Sequence, residues 1–159
     1  MKVFSPNAGC VWLSILAAAV DQAIKTGIRH APERSILFTC PGLFEITHYT
    51  NTGAAFSLFR GRTLLLAIVS SGIILTLLGF LVKRLHLTRG AQITLSFLIG
   101  GGIGNLIDRM FFGGVTDYFR LLIIPFPVFN LADVFVTLSA LVLSIYILTG
   151  RLDYHPEKQ

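Results

Sequence analysis

Four of the chain's eight acidic residues, Asp21, Asp108, Asp117 and Asp133, stand inside or at the ends of stretches that otherwise read as membrane-spanning. A carboxylate near hydrocarbon is costly, so an acid kept there is functional by default. Two carboxylates at close range cannot both ionise readily. One holds a proton near neutral pH, and the pair can then deprotonate a water while protonating a carbonyl oxygen or a leaving amine. That is acid-base hydrolysis of an amide. Acids strung through the membrane depth would instead form a proton relay, and Asp and Asn oxygens converging on one point would hold Mg²⁺ or Ca²⁺.

Two of the acids follow an asparagine by three residues, in Asn105-Leu106-Ile107-Asp108 and in Asn130-Leu131-Ala132-Asp133. On a helix that spacing puts amide and carboxylate on one face, where the amide can donate to the acid and hold its orientation. Asp117 lies in Gly113-Gly114-Val115-Thr116-Asp117-Tyr118-Phe119, between glycine turns and a hydrophobic run, as a loop returning to the membrane surface would. Spacing alone leaves open whether Asp108 or Asp117 partners Asp133.

The elements that position these groups follow from composition. Of 159 residues 53% are hydrophobic and 13% charged, and the mean hydropathy is +0.74, values of an integral membrane protein. Four apolar segments, about 11–28, 63–82, 91–107 and 128–149, are long enough to cross about 30 Å of hydrocarbon. They predict an all-α membrane protein, a four-transmembrane-helix bundle forming a single integral membrane domain over 1–159. Asp21 and Lys25 are one turn apart and can pair on one face of the first helix. A cleavable signal peptide is the alternative for this segment, but it would need no Asp21-Gln22 pair beyond its apolar core. Cys10 lacks the preceding apolar stretch of a lipid-attachment site.

Four spans put both termini on one side with the short loop 83–90, and the loops 29–62 and 108–127 on the other. All four acids then fall near one membrane surface. Lys and Arg are equal in number on the two sides but denser on the terminal side, which predicts cytoplasmic termini. Loop 29–62 has β-type composition at 35–38, 44–49 and 55–59, with turns at Pro41-Gly42 and Thr52-Gly53, and predicts a small β-rich subdomain. Phe44, Tyr49, Phe56 and Phe59 suit the headgroup level.

Other features are less specific. Gly100 and Gly104 fit a small-xxx-small helix contact and spell no phosphate loop. Cys10 and Cys40, about 27 Å apart by helical rise, are two separate thiols. His30, His48, His86 and His155 lack ligand spacing and read as surface residues. The net charge of +5 suits anionic lipid, with no basic stripe for nucleic acid.

Asp21-Gln22 with Lys25, the run Asn51-Thr52-Gly53-Ala54-Ala55-Phe56-Ser57, Gly101-Gly102 through Gly104-Asn105-Leu106-Ile107-Asp108-Arg109, Val115-Thr116-Asp117-Tyr118 and Phe129-Asn130-Leu131-Ala132-Asp133 occur in this order. Together they resemble the five signature blocks of lipoprotein signal peptidase, or signal peptidase II, a bacterial inner-membrane aspartic peptidase. The resemblance implies cleavage of diacylglyceryl-modified prolipoproteins just before the lipidated cysteine, on the periplasmic side, by an enzyme acting in membrane lipid as a monomer without cofactor or metal and inhibited by globomycin. It implies Asp117 and Asp133 as the catalytic pair, and Asn51, Gly101, Asn105, Asp108, Arg109 and Asn130 as substrate-binding or supporting residues. Asp21 and Lys25 would be structural. Thr116 and Tyr118 stand where Val and Phe are common, and Val134 where Ser is frequent; none of these changes removes a carboxylate.

Overall fold

The structure, a computed structural model, describes residues 6–53, 58–83 and 87–152. Within them lie helices α1 (Pro6–Arg29), α2 (Thr63–Lys83), α3 (Arg89–Phe111) and α4 (Leu131–Leu148), and strands β1 (Ile36–Cys40), β2 (Phe44–Asn51) and β3 (Val115–Leu121). All four helices are long and apolar enough to span a bilayer. Little of α2 and α4 is buried, with Leu64, Ile68, Leu75, Leu138, Leu141 and Leu148 facing outward. Such helices have lipid rather than water as their solvent, which makes this a multi-pass membrane protein.

The helix that must touch everything else is α3, and its glycines allow it. A Cβ on Gly104 would sit 2.5 Å from Asp21 Oδ2, and one on Gly101 would sit 2.6 Å from the Ala132 carbonyl oxygen. Gly100 meets Ser14 and Ala17, so Gly100 and Gly104 form the expected small-residue seam against α1, while Gly101 opens a second seam to α4. Toward the opposite end, Cys10, Ile74, Leu81, Leu87, Ala91, Leu95 and Ile99 form the apolar core. The buried charged groups lie at the other end, where α1 and α3 finish and α4 begins.

At that end the sheet has the order β1-β2-β3, antiparallel throughout, with Tyr49 opposite Asp117, Thr50 opposite Thr116 and Asn51 opposite Val115. Since β2 comes from the loop after α1 and β3 from the loop after α3, both loops lie on one side of the bundle. Backbone bonds between Phe119 and Phe129, 2.8 and 3.1 Å, draw the segment before α4 onto β3. Phe44 stacks on Phe119 and Phe129 packs tilted against Phe119 along this line, with centroids 4.9 and 5.2 Å apart.

Four expectations need correction. The third helix runs on to Phe111 instead of ending at 107, which leaves Asp108 inside the last turn, and the fourth starts at Leu131, with Asn130 as its cap. The third strand of the sheet is 115–121, because β2 offers its free edge there; of the expected 55–59, Leu58 and Phe59 lie in a turn and 54–57, including Phe56, fall outside the described residues. His48 is buried, not at the surface. Its Nδ1 lies 2.8 Å from the Ala31 carbonyl oxygen and its Nε2 3.5 Å from Glu33, so it fastens the start of the loop. His30 is exposed as expected, and His86 and His155 lie outside the described residues. Cys10 and Cys40 are free thiols.

Candidate active site

The site is built on one face of α1. Asp21, Lys25 and Arg29 follow at four-residue steps and Gln22 stands three before Lys25. Gln22, Lys25 and Arg29 bond partners on α3, and Asp21 pairs with Lys25 against Gly104 of α3. Lys25 and Asp21 are fully buried and pair at 2.8 Å. A lone ammonium there would carry a large desolvation cost. Instead, Asp108 Oδ2 at 3.2 Å and Asn105 Oδ1 at 2.8 Å complete a set of three oxygens around its three N–H groups.

Asp108 is equally committed. Its Oδ1 accepts from Gln22 Nε2 at 2.8 Å and Arg29 Nη1 at 3.0 Å, and its Oδ2 accepts the Thr116 backbone N–H at 2.8 Å. Arg29 also lies over the Phe112 ring, 3.9 Å from its centroid. The formal charges of Asp21, Asp108, Lys25 and Arg29 cancel. This cluster ties α1 to α3 and holds the β3 backbone one residue before Asp117.

Asp117 and Asp133 sit one layer further out and share a neighbour. Asn130 donates from Nδ2 to Asp117 Oδ1 at 2.6 Å, while its Oδ1 accepts the Asp133 backbone N–H at 2.9 Å. Asp133 Oδ2 accepts the Asn130 N–H at 3.2 Å, which completes a capping box at the start of α4. The remaining oxygens have one amide each, with Asn51 Nδ2 reaching Asp117 Oδ2 at 3.1 Å and Asn105 Nδ2 reaching Asp133 Oδ1 at 2.8 Å. Asp117 is 1% exposed, whereas Asp133 keeps an open side. Burial first, and the Asp133 charge second, push the Asp117 carboxyl up to about 7 against the pull of its two amides. Burial likewise pushes the Tyr118 phenol up to about 12, which leaves its oxygen neutral to accept the Leu131 N–H at 3.1 Å.

Of the residues singled out in the sequence, Asn51, Asn105 and Asn130 touch one acid or the other, and Asp108 touches neither. Arg109 stands beside them, half-buried. Its Nη1 and Nη2 reach the carbonyl oxygens of Asn105 and Gly53 at 3.4 Å, and its buried Nε has no partner among the described residues. Gly101 packs α3 against α4. Asp21 does more than pair with Lys25: its Oδ1 accepts the Ala132 N–H at 3.0 Å, one of the orphan donors at the start of α4. Sequence reasoning missed Arg29, counted only as a loop charge although its seven-residue step from Gln22 puts it on the same face. The Tyr118 hydroxyl carried no signal that could have found it.

The family described as signal peptidase (SPase) II matches residues 13–149. The lipoprotein signal peptidase of Microcystis aeruginosa is 45% identical over 105 residues, covering 66% of this chain and 68% of that one. That of Streptococcus pneumoniae is 32% identical over 140 residues, covering 87% and 92%. Among solved structures, a bacterial membrane enzyme determined at 2.3 Å resolution superposes with a TM-score of 0.80 at 27% identity, over 89% of this chain and 88% of that one.

Proposed function

The chain belongs to the signal peptidase II family, peptidases that remove signal peptides from lipoproteins, and on that premise we propose that Asp117 and Asp133 are its catalytic pair in an aspartic mechanism. The observation that carries this reading is Asn130, one side chain that bonds Asp117 and caps the backbone of Asp133. The pair shares one proton, held by the more buried Asp117, and the Asp133 carboxylate faces the open side where water and substrate enter. Water attacks the scissile carbonyl as Asp133 takes its proton and Asp117 protonates the carbonyl oxygen. The gem-diol intermediate then collapses as Asp117 takes back the proton of one hydroxyl and Asp133 gives its proton to the leaving amine, which restores the starting pair.

Asn51, Asn105 and Asn130 supply N–H donors that hold the two carboxyl groups, and Asp108 supports them from behind. The Nε of Arg109, without a partner among the described residues, suits a substrate carbonyl oxygen beside the Gly53 loop. In this reading cleavage falls just before a diacylglyceryl-modified cysteine, and the place of the acids at the helix ends supports it, since a lipid anchor meets its peptide near that depth. In the same reading the enzyme is one integral domain and a monomer in the bacterial inner membrane, its termini cytoplasmic and its site periplasmic. Globomycin-type peptides compete for that site.

The test is cleavage of a lipidated prolipoprotein by purified enzyme. Asp117→Asn and Asp133→Asn are each expected to lose about 10³-fold or more in turnover. Full turnover by either variant would sink the pair.

A further inference from the structure

Lys25 is a fully buried ammonium on a membrane helix, and the proposed chemistry does not use it. We propose that Lys25 is a positioning residue for Asp133, acting through the Asn105 amide. This rests on the reading of Asp133 as catalytic.

A primary amide has an accepting end and a donating end, and a half-turn exchanges them. Lysine can only donate. With Lys25 Nζ 2.8 Å from Asn105 Oδ1, the amide must turn its oxygen to α1, and its Nδ2 is then delivered to Asp133 Oδ1 at 2.8 Å. Asn105 is thus anchored at both ends, where Asp133 alone would hold only one. The same turn of α1 reaches α4 by a second route. Asp21, paired to Lys25 at 2.8 Å, accepts the Ala132 N–H at 3.0 Å, next to Asp133 in sequence. One ion pair on α1 therefore sets both the side-chain orientation of Asp133 and the backbone that carries it. The clamp acts across α3 at the point where Gly104 lets Asp21 approach.

A purely structural lysine would change how much enzyme folds and leave each folded molecule's turnover alone. A positioning lysine lowers kcat, since displacement of a catalytic group by about 1 Å costs about 10²-fold, and leaves KM nearly unchanged. The variants are Lys25→Met and the double variant Asp21→Asn/Lys25→Met, which removes one charge of each sign and so leaves no new unpaired ion. Each is purified in detergent, its folded fraction is read from thermal unfolding, and kcat and KM are measured on a lipidated prolipoprotein.

The expected result is a fall of about 10²-fold in kcat per folded molecule, with KM nearly unchanged, and no further fall when Lys25→Met is added to Asn105→Ala. Unchanged kcat in a folded variant overturns the proposal, as does an effect that simply multiplies with that of Asn105→Ala. Failure of both variants to accumulate as folded enzyme overturns it too, by making Lys25 a folding residue. Asp133→Asn is assayed in parallel. Normal turnover there removes the catalytic pair itself, whereas a dead Asp133→Asn beside fully active Lys25 variants removes only the positioning role.

Discussion

Asn130 bonds the carboxyl group of Asp117 at 2.6 Å with the same amide group whose oxygen caps the Asp133 N–H at 2.9 Å. Its two jobs can be separated chemically. Serine is also a good helix cap, so Asn130→Ser should keep the start of α4 and leave stability within about 1 kcal/mol of the parent. It cannot reach Asp117 with an N–H donor. Turnover is expected to drop about 10²-fold with an almost unchanged unfolding midpoint. A midpoint that falls in step with activity would mean that the cap is all Asn130 provides.

The raised pKa of Asp117 has two consequences with definite signs. If its proton is delivered in catalysis, kcat/KM should fall as pH rises through about 7, by about tenfold per pH unit beyond it. For stability, the folded pKa lies above the ordinary value of 3.8. The contribution is therefore fully present below about 3.8 and is lost progressively as pH rises to about 7, because the unfolded chain releases the proton more readily than the folded one. Asp117→Asn has no proton to lose. Its unfolding midpoint relative to the parent should climb between pH 4 and 7 and level off above, and a flat difference across that range would contradict the burial of Asp117.

How much of this could be read from the chain depends on the range of each interaction. The Asp21-Lys25 pair is made within one turn of helix, so spacing announced it. The Asn130-Asp133 contact is instead a backbone cap, and the asparagine amides donate to acids other than those three residues on, Asn130 to Asp117 and Asn105 to Asp133. The family resemblance pointed to Asp117, but nothing local marked it as part of a strand. Strand β3 exists because β2, contributed by a distant loop, offers an edge, and the glycines before it read as a turn. The roles of Asp108 and Asp117 were indistinguishable by spacing for the same reason. What separates them is which donors surround each one: two cations, a Gln22 amide and a backbone N–H for Asp108, and two amides for Asp117.

Asp108→Asn tests that separation. The variant leaves Lys25 with Asp21 but takes the carboxylate from Arg29, and breaking a buried ion pair costs about 3 kcal/mol or more. Expression and the unfolding midpoint should both drop. Because Asp108 holds the Thr116 N–H beside Asp117 without touching the acids, turnover per folded molecule should fall about 10- to 100-fold and remain measurable. Complete loss of chemistry in a stably folded variant would move Asp108 into the catalytic set.

The approach of α1 to α3 at Gly104 offers a prediction in which no polar group is altered. A methyl on Gly104 would lie 2.5 Å from Asp21 Oδ2 and 3.1 Å from its Cγ, and neither atom can retreat without loosening the bond to Ala132 or the pair with Lys25. Gly102 differs, since its added Cβ would meet only the Ile74 side chain, at 3.2 and 3.3 Å, and an isoleucine end can shift by tenths of an ångström. Overpacking of a well-filled contact costs about 1–3 kcal/mol. Gly104→Ala should therefore lower the unfolding midpoint clearly and Gly102→Ala much less. If the α1 ion pair also orients α4, Gly104→Ala should lose turnover beyond its loss of folded enzyme, whereas Gly102→Ala should not. Equal effects of the two alanines on midpoint and turnover would mean that the approach of α1 to α3 has no special bearing on the acids.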